Sequence, residues 1–207
     1  MKKRFSFMMI LALLYLLGAC GNGKNIDNQN DKGAINDESA QNTTENQPES
    51  TKNDEQTTDI ILVELKNADD KKVGEAQLQQ VSEGVLIKLE ASDLPPGAHG
   101  FHIHETGKCE APTFESAGGH FNPTDAEHGM KNEKGPHAGD LPNIEVGEDG
   151  KVQFEVTADN VTLLADEENS LLGPEGTSLV IHAKPDDEKS QPAGDAGDRI
   201  VCGSIGE

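Results

Sequence analysis

Tryptophan is absent from this 207-residue chain and tyrosine occurs once, at Tyr15, so aromatic side chains make up only 3% of it. A buried core therefore has to be assembled from small aliphatics together with Phe101, Phe114, Phe121 and Phe154. Positive charge is equally scarce. Seventeen Lys and Arg face 38 Asp and Glu, a net charge of -21, which argues against nucleic acid as a partner and against docking on anionic lipid through basic patches. There are three cysteines, too few for a disulfide-dense scaffold. The longest apolar run, Phe7 to Leu17, is too short to span a bilayer comfortably. No internal repeat is visible, and no segment carries a convincing helical stripe.

What is present begins with an export signal. Lys2, Lys3 and Arg4 supply a positive start, the apolar run follows, and Leu17-Gly18-Ala19-Cys20 closes it with a small-residue pair directly before a cysteine. That ending resembles a bacterial lipobox. It implies that residues 1–19 are a lipoprotein signal peptide and that Cys20 becomes the lipid-bearing first residue, tied to the membrane, where more than one acyl chain is needed for stable anchoring. Residues 20–56 are rich in Asn, Asp, Glu, Gln, Ser and Thr and nearly free of apolar side chains. Such a segment cannot bury enough surface to offset the entropy of ordering, so it reads as a disordered tether whose reach is set by composition. Residues 57–207 have the length of one domain with one core.

Within that domain, period-2 alternation or β-rich runs between turn residues mark Ile60 to Leu65, Glu75 to Val81, Gly84 to Glu90, Gly100 to His104, Val152 to Thr157, Ser178 to Ala183 and Arg199 to Ser204. The expected fold is all-β, a Greek-key β-sandwich or flattened barrel. Two long stretches break the pattern, Glu105 to Leu141 and Lys184 to Asp198. Loops of this length in a compact domain are usually functional. Cys109 and Cys202 are either a bridge or two free thiols. In an exported chain, oxidation favours the bridge, and closing so long a loop would stabilise the fold by roughly 4 to 5 kcal/mol in the chain-entropy model.

Six of the seven histidines form one ordered series: His102-x-His104, His120, His128, His137-x-x-Asp140 and His182. Imidazole is the commonest metal ligand because one neutral ring nitrogen can bind while the other is held by an acceptor, and a carboxylate three residues after a histidine is a natural extra ligand. His102 and His104 alternate on a strand, so both leave the same face. The seventh, His99, has no place in the series and reads as a hydrogen-bonded structural histidine.

With these motifs, and with Gly100-Phe101-His102-Ile103-His104-Glu105, Ala117-Gly118-Gly119-His120-Phe121-Asn122-Pro123 and Ala196-Gly197-Asp198-Arg199-Ile200-Val201-Cys202-Gly203 around them, the chain from about 58 to 207 resembles the copper/zinc superoxide dismutases. The resemblance implies one copper held by His102, His104, His120 and His182, an all-imidazole set suited to Cu(II). It also implies one zinc held by His120, His128, His137 and Asp140, a closed structural site. His120 would bridge the two through its two nitrogens. Asp186 matches the carboxylate that hydrogen-bonds one copper and one zinc histidine at once, although Asp187 is adjacent. Arg199 matches the family's anion-guiding arginine. The implied activity is dismutation of superoxide to oxygen and hydrogen peroxide at the outer face of the cell membrane, with His120 as a proton carrier.

Two departures follow. The segment from His182 to Arg199 is shorter than in the animal enzymes, and it holds Asp186, Asp187, Glu188, Asp195 and Asp198. Local attraction for an anion therefore falls to Lys184, Lys189 and Lys108. A different class of function on the same scaffold, a non-catalytic copper- or zinc-buffering envelope protein, would keep the zinc site and show labile copper. Members of the family occur as monomers and as homodimers, so the sequence leaves the assembly open.

Overall fold

The computed structural model describes residues 59–206. The expected signal peptide, Cys20 and the expected tether lie outside them. Nine strands are formed: β1 Ile60–Asn67, β2 Lys72–Val81, β3 Gly84–Ala91, β4 Gly97–His99, β5 Phe101–His104, β6 Ile144–Val146, β7 Val152–Ala158, β8 Thr177–His182 and β9 Arg199–Ile205. Seven of them make one antiparallel sheet in the order β5-β8-β9-β1-β2-β3-β7, and β4 pairs with β6 in a second, two-stranded sheet. The large sheet curls into a half-barrel, and the only helical piece among the described residues is a 3-10 turn, Glu115–Ala117.

Alternation decides the inner face. Val85, Ile87, Leu89 and Ala91 of β3 are buried, as are Val63 and Leu65 of β1 and Ala76 and Leu78 of β2. Most of the alternate residues of these strands point the other way and are polar or at least partly exposed, Leu62 among them, as a sheet with one covered face allows. The β2–β3 hairpin turns through Ser82-Glu83 into Gly84, whose φ of 140° lies in the region L side chains rarely adopt, and whose missing Cβ leaves room for the Ala158 carbonyl of β7. Phe101 is fully buried and meets Phe154 edge-on, with ring centroids 6.2 Å apart.

The three strands that matter for the site are β5, β8 and β9. Phe101 pairs with Ile181 and Ile103 with Leu179, all pointing into the core; His102 pairs with Val180 on the opposite face. A bulge between Ile181 and His182 skips Ile200 and sets His182 against Arg199. Bulges re-aim side chains, and this one brings two of the candidate site residues opposite each other. On that outer face Phe114, Ala117, Val180 and Cys202 form a small buried cluster, capped by the Cys109–Cys202 disulfide, which is closed. The seven expected strands are all present, with ends that coincide or shift by up to three residues. The two extra strands, β4 and β6, have three residues each and follow Pro96 and Asn143, too short and too close to turn residues for alternation to show.

Candidate metal centre

Each histidine of the series is buried, and so are Asp140 and Asp186. Two donor groups assemble from them: His102, His104, His120 and His182 in one, His120, His128, His137 and Asp140 in the other, each with its ligand atoms within 4.8 Å of one another. His120 belongs to both. Its loop is carried to β5 by an isolated bridge to His104, while Asp140 is carried there by a bridge to His102. The long stretch expected to lie between strands is therefore laced along β5.

The outer nitrogen of nearly every ring is occupied. Nε2 of His102 lies 2.8 Å from Asp186 Oδ2, Nδ1 of His104 3.0 Å from the Gly118 carbonyl, and Nδ1 of His182 3.2 Å from the Gly197 carbonyl; His120, shared by the two groups, has no outer nitrogen, and its Nδ1 lies 2.8 Å from Asp140 Oδ1 within the second group. Oδ1 of Asp186 also reaches Nε2 of His128 at 3.1 Å, so this one carboxylate touches a ring of each group. Its backbone is held by Asn143, which donates to the Asp186 carbonyl at 2.9 Å and accepts its N–H at 2.8 Å. Asp140 Oδ2 accepts the N–H groups of Gly129 and His137 at 2.9 and 3.0 Å.

The inner nitrogens either lack an acceptor or converge on Asp140. Nδ1 of His102 and Nε2 of His120 are buried without a hydrogen-bond partner, Nε2 of His104 and His182 face each other at 3.3 Å, and the Nδ1 atoms of His128 and His137 lie 3.1 and 3.2 Å from the Asp140 carboxylate. Buried polar atoms are rarely orphaned without reason, and a ring whose outer N–H donates to a carboxylate or carbonyl presents its inner lone pair to a metal. The residues fit the two implied ions: four imidazoles for copper, three imidazoles and a carboxylate for zinc. Burial, reinforced by neighbouring rings, pushes His104 down to about 2 and His182 to about 3; burial likewise takes His120 to about 4, against the pull of Asp140. These three are neutral, as ligands must be. His128 goes the other way: burial lowers it, but the carboxylates of Asp140 and Asp186 outweigh burial and hold it at about 9. Both carboxyls are driven well below the usual carboxylate range, because the hydrogen bonds from these rings more than offset their own burial.

Arg199 is half-buried beside the first group. It donates from Nη1 to the Phe114 carbonyl and from Nη2 to the Gly118 carbonyl, both at 2.6 Å, which leaves the remaining N–H groups of the fork for an anion. Burial lowers its pKa, while the carboxylates of Glu115 and Glu105 act to raise it. Lys184 is exposed and lays its stem over Gly197, whose carbonyl holds His182. Lys108, by contrast, is offset by Glu175 at 3.5 Å. Among the described residues Lys189 makes no ion pair through its side chain. His99 is buried with Nδ1 and Nε2 each 2.8 Å from a backbone carbonyl, of His182 and Pro95 respectively, a structural role behind the bulge.

Several contributors carry no sequence signal. Asn143 acts only through the Asp186 backbone, and Gln191 accepts the His128 N–H at 2.9 Å while donating to its carbonyl at 2.9 Å. The Phe114 and Gly118 carbonyls are main-chain groups that any residue would supply.

The family model of the copper/zinc superoxide dismutases matches residues 72–205. Superoxide dismutase [Cu-Zn] 1 of Aquifex aeolicus is 54% identical over 143 residues, 69% of this chain and 85% of that protein. The superoxide dismutase-like protein YojM of Bacillus subtilis is 46% identical over 145 residues, covering 69% and 74%. Among solved structures, a superoxide dismutase-like protein from Bacillus subtilis overlays with a TM-score of 0.69 at 43% identity, over 71% of this chain and 99% of that one. The Cu/Zn superoxide dismutase from Brucella abortus does so with a TM-score of 0.59 at 30% identity, over 71% and 99%.

Proposed function

The chain belongs to the copper/zinc superoxide dismutase family, and from that premise we propose how its own residues divide the work of dismutation and where in the cell they do it. Two superoxide anions and two protons become one oxygen and one hydrogen peroxide. Copper, held by His102, His104, His120 and His182, would supply the one-electron chemistry by passing between Cu(II) and Cu(I), and zinc, held by His120, His128, His137 and Asp140, would be structural. The observation that carries this division is the pair of donor groups that share His120, one made of four imidazoles alone and the other of three Nδ1 atoms gathered around the Asp140 carboxylate.

Each remaining residue has a task set by its position. Arg199, clamped by two carbonyls, holds the anion with its free N–H groups through charge-assisted hydrogen bonds. His120 keeps Nδ1 against Asp140, so Nε2 is the atom at which a proton can be carried and given up to the reduced substrate. Asp186 fixes the tautomers of His102 and His128 together. Lys184, exposed beside Gly197, is the cation best placed to draw superoxide towards Arg199.

The compartment we infer rests on the N-terminal segment. Lys2-Lys3-Arg4, the apolar run and Cys20 support export and lipid anchoring, with the domain held at the outer face of the cell membrane by the tether. Labelling with an alkyne fatty acid tests this: the wild-type chain takes the label and fractionates with membranes, whereas Cys20→Ala does neither. A soluble, unlabelled wild-type chain overturns the anchoring.

The activity is tested by loading the full chain with both metals and following the second-order decay of pulsed superoxide against the copper and zinc content of the same sample. A copper-dependent rate far above the uncatalysed reaction supports the division of ligands. Full copper occupancy with no added rate overturns it and leaves metal buffering as the function.

A further inference from the structure

One backbone carbonyl serves two functional side chains at once. The Gly118 oxygen accepts from Nδ1 of His104 at 3.0 Å and from Nη2 of Arg199 at 2.6 Å. It belongs to the Gly118-Gly119 pair directly before His120, a turn with no side chain of its own to hold it, and Gly118 sits at φ 75°, ψ -153°, outside the conformations L side chains favour. What stands where its Cβ would be is the carboxylate of Glu105.

Glu105 is exposed and follows His104 in sequence. Its Oε1 accepts the Gly119 N–H at 2.8 Å, and its own N–H donates to the Gly119 carbonyl at 2.9 Å. The next rung, Thr106 N–H to the Ala117 carbonyl at 3.1 Å, completes the lacing. The backbone rungs hold residues 117 and 119, and the carboxylate closes the open side between them with a charge-assisted bond. Without it the Gly119 N–H would lose its partner and the glycine pair would be free to turn, taking the Gly118 oxygen away from the ring and the guanidinium together.

We propose that Glu105 is a positioning residue for this site: its carboxylate fixes the Gly118-Gly119 turn so that one carbonyl orients both the copper-side ring of His104 and the anion-holding fork of Arg199. This rests on the functional reading above and deepens it. The same carboxylate places a negative charge near Arg199, so its two effects on an anionic substrate oppose one another: the hydrogen bond helps by placement, and the charge hinders by repulsion.

Glu105→Ala and Glu105→Gln in the full chain separate the two, because glutamine keeps an acceptor for the Gly119 N–H and loses the charge. Superoxide decay is measured with both metals bound, and hydrogen exchange of the Gly119 amide is followed by NMR in the metal-free chain. In Glu105→Ala the amide is expected to exchange about tenfold faster and the rate constant to fall about tenfold, the lower end for losing an outer partner of a metal ligand. Glu105→Gln is expected to restore amide protection and bring the rate back to the wild-type value or above it. A protected Gly119 amide in Glu105→Ala with a rate within twofold of wild type overturns the proposal. So does a glutamine variant that loses amide protection, a result that also decides the matter if the alanine variant does not fold. Should the wild-type chain itself show no dismutation while the amide responds as stated, the functional reading fails and the positioning of the turn stands.

Discussion

The two donor groups are built in opposite ways. Three of the four histidines of the copper-side group stand on paired strands, His102 and His104 on β5 and His182 at the end of β8. All four residues of the zinc-side group lie on the long connection between β5 and β6, which has no strand of its own. Strand-borne rings are placed by register and by the packing of Phe101, Ile103, Leu179 and Ile181 beneath them. Loop-borne rings are placed by polar contacts that converge on Asp140 and Asp186. A site on strands is organised before its metal arrives, whereas a loop site gains much of its order from the metal.

The largest expected effect comes from breaking the strand side. His182→Ala should reduce superoxide decay to the free-solution rate while zinc content and thermal unfolding stay as in the wild type; zinc loss in that variant would refute the division of ligands. The complementary change is Asp140→Ala. Removing a ligand that also holds three rings and two backbone N–H groups should lower zinc affinity by more than the about 10- to 100-fold typical of losing an outer partner. Amide exchange should then rise across residues 120–140 and leave β5 and β8 protected. Equal exchange in loop and strands would erase the contrast.

Asp186→Asn tests the link between the groups. Asparagine is uncharged and cannot accept from both rings as the carboxylate does, so copper and zinc affinities should both fall, each by about 10- to 100-fold, in competition titrations with a chelator. A loss confined to one metal would mean that the bridge is not shared.

The smallest effect is in protons. His128 is raised to about 9 in the metal-free fold, so its protonated form contributes stability that is fully present below 6.5 and is lost as pH rises through about 9. Between these values zinc has to displace that proton. His104, His120 and His182 are lowered instead and are already neutral there. Calorimetry at pH 7.5 in buffers of different ionisation enthalpy should therefore show about one proton released from His128 on zinc binding and none from His104 or His182 on copper binding, whereas His120, which serves both groups, has its own ring proton to lose. Zinc uptake without proton release would show that His128 is neutral before the metal binds.

Legibility followed the same contrast. The strands were readable because alternation is local: Val85, Ile87 and Leu89 announce β3 on their own, and His102-x-His104 announces two rings on one face. The zinc-side ligands were readable as chemistry but not as geometry. Nothing in the spacing of His120, His128 and His137 tells that their loop runs along β5 through the bridges His104–His120 and His102–Asp140. Lys108 looked as available to an anion as Lys184, and only the approach of Glu175 sets them apart. Glu105 gave no signal at all, since its partner is a backbone N–H fourteen residues away.

By itself, then, the sequence determined which atoms are available: six histidines and their carboxylates, an arginine, a disulfide pair and an all-β frame, since residue type and alternation act over a few residues. The tertiary structure decided which nitrogen of each ring faces its donor group, which carbonyls clamp Arg199, and that Asp186, not Asp187, reaches both donor groups. Those choices depend on hydrogen bonds between segments up to 85 residues apart. Such bonds form only when the sheet has curled and the two loops have closed over it.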